Sequence, residues 1–129
     1  MARPWESLTV GIDAEIHDEL PAGVLEQVSV DQERAWLAEA LGGIQLGGIH
    51  WDRLLFSAKE SVYKAWQPLT GEWLGHRDAE LSIDPARGSF EARLLVPAHS
   101  ALETRWRSFQ GRFAITPTHV LTAVALLDL

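Results

Sequence analysis

Cysteine is absent from the 129 residues, which removes disulfides, thiolate metal ligands, iron–sulfur clusters and cysteine nucleophiles. Lysine is nearly absent too. Lys59 and Lys64 are the only two in the chain, and every other permanent cation is an arginine. No basic tract exists to neutralise a run of phosphates, so nucleic acid is excluded as the expected partner. Long apolar runs are also missing. The longest, over residues 120–127, is interrupted by Thr122 and falls far short of the ~20 residues a membrane helix needs. The opening Met-Ala-Arg-Pro-Trp-Glu has no apolar signal core, so a cytoplasmic location without a membrane partner is expected.

What is present is ordinary globular material: 47% hydrophobic and 22% charged residues, with 10 glycines and 6 prolines. A chain of this length fits one domain and should bury roughly two-thirds of its unfolded surface. The formal charge is −7 and unevenly placed. Residues 1–52 hold ten acids against only Arg3 and Arg34, whereas the remainder is nearly balanced. Such an acidic half suits a divalent cation, and it suits a solvated acidic surface equally well.

Residues 8–16 read as a strand of period two, with Val10, Ile12, Ala14 and Ile16 on one face and Gly11, Asp13 and Glu15 on the other. A short helix is expected from Pro21 to about Gln27. A second begins near Ser29, where Ser29 and Gln32 have capping-box spacing and Trp36, Leu37, Ala40 and Leu41 form a stripe. Gly42-Gly43 stops it, and 41–49 is a loop without the lysine or spacing of a phosphate loop. The main helix runs from Trp51 or Asp52 to Trp66, striped by Trp51, Leu55, Ala58, Val62 and Ala65, with Pro68 and Gly71 closing it. Strands follow at 79–84, 90–96, 106–115 and 119–127, the last two joined around Thr116-Pro117-Thr118. The fold class is α/β of the α+β type, a long helix packed on an antiparallel sheet that includes the first strand. Trp36, Trp51, Trp66, Trp73 and Trp106 read as core or interface packing, and Trp5 as more exposed.

Asp13 and Glu15 project from one strand face about 6.5–7 Å apart, close enough to share a hard cation. Spacing alone favours the plainer reading, a face that looks into water. Glu60 and Lys64 stand at i, i+4 on the main helix, with Lys59 beside Glu60. That spacing also describes a common helix-stabilising salt bridge. Together these groups offer carboxylate oxygens for magnesium and ammonium groups for the phosphates it bridges, provided the helix crosses the first strand. Nothing selects a sugar, and the Glu-x-x-x-Lys run is helical where a nuclease core would place its motif on a strand.

Val10-Gly11-Ile12-Asp13-Ala14-Glu15 and Phe56-Ser57-Ala58-Lys59-Glu60-Ser61-Val62-Tyr63-Lys64-Ala65 resemble the paired signatures of the 4′-phosphopantetheinyl transferase superfamily. The chain is most similar to the two-lobed, surfactin-synthetase-activating and enterobactin-type branch, especially its actinobacterial members. Trp51-Asp52-Arg53-Leu54-Leu55-Phe56, Lys64-Ala65-Trp66-Gln67-Pro68-Leu69-Thr70 and Trp73-Leu74-Gly75 extend the likeness over nearly the whole chain.

The resemblance implies transfer of 4′-phosphopantetheine from coenzyme A to a serine of an acyl or peptidyl carrier protein, serving fatty acid, polyketide or nonribosomal peptide synthesis. It implies magnesium held by Asp13, Glu15 and Glu60, with Glu60 also activating the acceptor serine. It places Lys59 and Lys64 near the coenzyme A phosphates, Lys64 stabilising the pyrophosphate as the bond breaks. Phe56 and Ser61 stand where relatives often carry tryptophan and alanine. Arg53, Arg77 and Arg93 are candidates for meeting a negatively charged carrier, against solvated arginine as the plainer reading. The departure is length: relatives of this branch are about twice as long, and the likeness falls on their second, C-terminal lobe. His17, His50 and His119 lie outside the missing adenine- and phosphate-binding motif. Three forms therefore stay open: a lobe lacking its N-terminal partner, a homo-oligomer that includes the small trimeric holo-carrier-protein synthase, and an inactive structural or carrier-binding module.

Overall fold

The stripe of Trp51, Leu55, Ala58, Val62 and Ala65 forms the buried side of one 20-residue helix. A computed structural model of the chain describes residues 7–39, 48–95 and 108–127. In chain order these give β1 (Ser7–Ile16), α1 (Val24–Val28), α2 (Asp31–Glu39), α3 (Trp51–Thr70), a 3-10 turn (His76–Asp78), β2 (Ala79–Asp84), β3 (Ser89–Leu94), β4 (Ser108–Ile115) and β5 (His119–Leu127). The strands make one antiparallel sheet in the order β1-β5-β4-β3-β2, so the first strand pairs with the last. Helix α3 lies across β1 and β5 and forms the expected α+β half-domain. Among the described residues no helix is long and apolar enough to cross a membrane. The expected loop at 41–47, Val96, Trp106 and Trp5 lie outside the described residues.

Three local expectations are corrected. Ser29 does not cap α2. Its hydroxyl donates to the Leu25 carbonyl at the end of α1, and it is Glu33 that reaches back to the Val30 N–H at 2.8 Å. Pro68 does not stop α3: the helix runs past it to Thr70, at the cost of the bond that a donor at 68 would make to the carbonyl four residues earlier. The expected end at Gly71 holds, since its φ of 72° lets its N–H close on the Gln67 carbonyl at 2.7 Å. Trp73 is 75% exposed, which removes the core half of its reading and leaves the interface half, and its ring lies 5.2 Å from that of Tyr63.

The largest correction concerns β1. The alternation holds, but its polarity is the reverse of a strand that hides apolar side chains. Ile12 and Ile16 are 63% and 66% exposed, with Val10 and Leu121 of β5 beside them on the outer face. Gly11, Asp13 and Glu15 face α3. Gly11 makes this possible, since a Cβ there would sit 1.8 Å from the Ser61 carbonyl oxygen and 2.7 Å from the Ala65 nitrogen. A polar rivet secures the same crossing: the Ser57 and Thr122 hydroxyls are 2.9 Å apart, and Thr122 donates to the Ser57 carbonyl at 3.0 Å. Thr122 is the ladder partner of Asp13.

Gly11→Ala should therefore force α3 away from β1 and cost about 2–3 kcal/mol, the range of an overpacked core. Urea unfolding reads this directly. An unchanged midpoint would show that the helix does not rest on that glycine.

Candidate functional site

The site is the patch where the inner face of β1 meets the middle of α3. Asp13 is 5% exposed; its Oδ1 accepts from Lys64 Nζ at 2.7 Å, and its Oδ2 is buried without a partner. Lys64, itself half in water, also approaches the Ile12 carbonyl at 3.3 Å. The Asp13 hydrogen bond pushes the Lys64 ammonium pKa up. Glu15, two residues along the same face, stands 3.7 Å from Arg53. Burial raises the Glu15 pKa to about 7, aided by Asp13, which would share a proton with it and repels its charge. Arg53 opposes that shift, and Glu60 adds to it. Glu60 lies one turn before Lys64 on α3, and its Oε1 is 2.6 Å from Nε2 of His76. The solvated reading of Asp13 is thus overturned.

Each acid of this patch has its own partner: Lys64 on Asp13, Arg53 beside Glu15, and the His76 imidazole on Glu60. Among the described residues no three carboxylate or imidazole groups stand together as a ready-made metal cage. The donor chemistry nevertheless fits a hard divalent cation. All candidate donors are carboxylate oxygens, one buried oxygen of Asp13 lacks any partner, and two neighbouring acids repel one another.

Lys59 has a different neighbourhood from Lys64. Its ammonium is buried, donating to Glu33 Oε1 at 2.7 Å and to the His76 carbonyl at 2.5 Å. Glu33 is equally buried, and its Oε2 accepts the Leu81 N–H of edge strand β2 at 2.7 Å. Burial pushes the Lys59 pKa down, and the Glu33 charge opposes it. The pair ties α2, α3, the 3-10 turn and β2 together. Arg53 is similarly committed, donating to the Asp18 and Glu19 carbonyls at 3.0 and 2.7 Å. Arg77 is exposed, and Arg93 meets Glu80 at 3.0 Å on the outer sheet face.

Sequence reasoning missed His76 and Glu33. His76 follows a glycine outside both motifs and meets Glu60 only through a turn 16 residues away. Glu33 carries a signal in hindsight, since it stands three residues after Val30 at the start of a helix. A cavity of about 260 Å³ opens beside Glu60 and His76, walled by Val62, Tyr63, Trp73 and Leu74. A larger depression of about 660 Å³ lies against β4 and β5 and contains none of the acids or lysines of the patch.

A family model for the 4'-phosphopantetheinyl transferase superfamily matches residues 9–123, a span that takes in β1, α3 and the patch between them. The chain belongs to that superfamily. It is 49% identical over 126 residues to the 4'-phosphopantetheinyl transferase Svp of Streptomyces mobaraensis, an alignment covering 98% of this chain and 50% of that protein. The 4'-phosphopantetheinyl transferase Npt of Nocardia iowensis is 44% identical, with 91% and 54% covered. The 4'-phosphopantetheinyl transferase PptT of Mycobacterium tuberculosis (strain ATCC 25618 / H37Rv) is 40% identical, with 92% and 52% covered. The chain thus spans about half the length of the curated relatives it matches. These superfamily relatives support the expected likeness to actinobacterial members.

The buried pair should show in a stability measurement. Lys59→Ala leaves Glu33 buried and uncompensated, costing about 3–5 kcal/mol. A loss below about 1 kcal/mol on denaturant unfolding would contradict the role of the pair.

Glu15 gives a pH test in metal-free protein. Its folded pKa of about 7 lies above the ordinary 4.5, so its contribution to stability is complete below pH 4.5 and is lost as pH rises through 7. Glu15→Gln should match the wild type in melting temperature at the acidic end and exceed it above pH 7. A difference that stays constant across this window would reject the raised pKa.

Proposed function

We propose that this chain is the C-terminal, metal- and acceptor-handling lobe of a 4′-phosphopantetheinyl transferase, and that it needs a complementing lobe or a second copy for full activity. The observation that carries the reading is the convergence of Asp13, Glu15, Glu60 and Lys64 where β1 passes under α3. Two facts support the incomplete-lobe part: the curated relatives are about twice as long, and the outer face of β1 exposes Val10, Ile12 and Ile16.

In the proposed reaction the hydroxyl oxygen of a carrier-protein serine attacks the β-phosphorus of coenzyme A. The bond from that phosphorus to the bridging oxygen breaks, the phosphopantetheine arm moves to serine, and adenosine 3′,5′-bisphosphate leaves. Glu60 takes the serine proton, directly or through a water, on the oxygen that His76 does not occupy. Lys64, held by Asp13, offers an ammonium to the phosphate oxygens as charge accumulates on the leaving group. Asp13, Glu15 and Glu60 would hold magnesium, which when bound offsets the charge of the pyrophosphate. Lys59 supports the site at a distance, because its ammonium is spent on Glu33 and the His76 carbonyl. The 260 Å³ cavity beside Glu60 has the apolar walls suited to a neutral, amide-bearing arm. Exposed Arg77 is the better candidate for meeting an acidic carrier, since Arg53 is spent on backbone carbonyls.

Intact-mass analysis of an apo carrier protein incubated with coenzyme A, magnesium and this chain tests the proposal. Transfer should be weak alone and restored by adding the N-terminal half of the Streptomyces mobaraensis relative. In the restored system, Asp13→Ala and Glu60→Ala should each lower the rate by ~100-fold or more. Full transfer by the monomeric chain alone would overturn the incomplete-lobe reading. Near-normal rates for the two variants would overturn the site.

A further inference from the structure

We infer that His76 is a positioning residue that fixes the Glu60 carboxylate by engaging one of its two oxygens. The inference deepens the proposed site and rests on that reading only for its consequence in cation binding. The imidazole makes two contacts and the backbone of the same residue a third. Its Nε2 is 2.6 Å from Glu60 Oε1, and its ring stacks on Phe56 with centroids 5.5 Å apart and planes within 16°. Its own carbonyl accepts from the buried Lys59 ammonium at 2.5 Å. Phe56 and Glu60 are four residues apart on α3, so one helix flank presents both the surface that supports the ring and the carboxylate that it grips.

The turn beneath is just as fixed. The Gly75 N–H donates to Asp78 Oδ2 at 2.8 Å, and the Asp78 N–H donates to the Gly75 carbonyl at 3.1 Å. The Asp78 carbonyl in turn accepts from Leu95 N–H at 2.9 Å. His76 is therefore anchored before it touches Glu60, and a free glutamate side chain on a helix is not. Outer partners of this kind orient a carboxylate and set which of its lone pairs faces a cation or an acceptor hydroxyl. With Oε1 engaged, Oε2 is the freer oxygen of Glu60, and His76 forms part of the wall of the adjoining cavity.

Three versions of the full chain test this. His76→Phe keeps a ring for Phe56 and the backbone carbonyl for Lys59 but removes the donor. His76→Gln restores an N–H donor. Carbon-13 relaxation of the Glu60 side-chain methylenes in metal-free protein reads the positioning itself. The order parameter should fall in His76→Phe and recover in His76→Gln. Titration with Mn²⁺, followed by electron paramagnetic resonance, should show about 10-fold weaker binding in His76→Phe and recovery to within about 3-fold in His76→Gln. Unchanged Glu60 order in folded His76→Phe overturns the inference, and so does tighter Mn²⁺ binding, which would make the imidazole a competitor of the cation. Failure of the wild-type chain to bind Mn²⁺ would count against the proposed metal site, while the relaxation comparison still decides the role of His76. Should His76→Phe not fold, His76→Ala serves in the same two measurements.

Discussion

Beneath α3, the backbone of β1 comes so close that position 11 has room for hydrogen alone. That approach sets the height of the helix over the sheet, and the polar contacts between α3 and the sheet beneath it depend on it. With the helix this low, Lys64 reaches Asp13 and Thr122 bonds Ser57. Raise the helix by the width of a methyl group and these contacts lengthen together. A glycine followed by an aspartate two residues later is thus one device: the first residue admits the helix, and the second meets its charged flank.

Charge compensation in the patch is local and pairwise. Asp13, Glu15 and Glu60 would repel one another if left alone, and each is met by a different partner: Arg53 and Lys64 from α3 and His76 from the 3-10 turn. The folded chain can therefore hold these acids along one helix–strand crossing before any external ion arrives. The Glu15 carboxyl shows where this balance is poorest, since Arg53 is 3.7 Å away and occupied with backbone carbonyls. The scarcity of lysine acquires a physical meaning in the same terms. One of the two stands half in water against the site, and the other is sealed in a buried pair with Glu33 that joins four elements.

The sheet has two characters on its outer face. At the β1 edge it is apolar, with Val10, Ile12, Ile16 and Leu121 exposed. Toward β2 it is dressed with polar pairs, Arg93 on Glu80 and Gln110 on Glu91. A strand that buries its acids and exposes its isoleucines does not spend its apolar face on the core formed with α3. The half-length match to the curated relatives agrees with that arrangement.

Much of this was legible without coordinates. The stripe on α3 named the buried residues because a helical period admits only one apolar face, and the alternation in β1 assigned Gly11, Asp13 and Glu15 to one side because a strand has period two. The motifs at 10–15 and 56–65 named the superfamily. Periodicity could group residues by face but could not say which face is covered, so the inward turn of Asp13 and the outward turn of Ile12 emerged only from the packing of α3. Nor could spacing distinguish Lys59 from Lys64. Both neighbour Glu60 in sequence, but they leave the helix in different directions, and only the position of α2 shows which one is buried. The grip of His76 on Glu60 was least legible, since a contact made through a turn leaves no period in the sequence. Local pattern determined the elements, the shared faces and the family; which charges meet was decided by the third dimension, because an ion pair depends on distance through space and not along the chain.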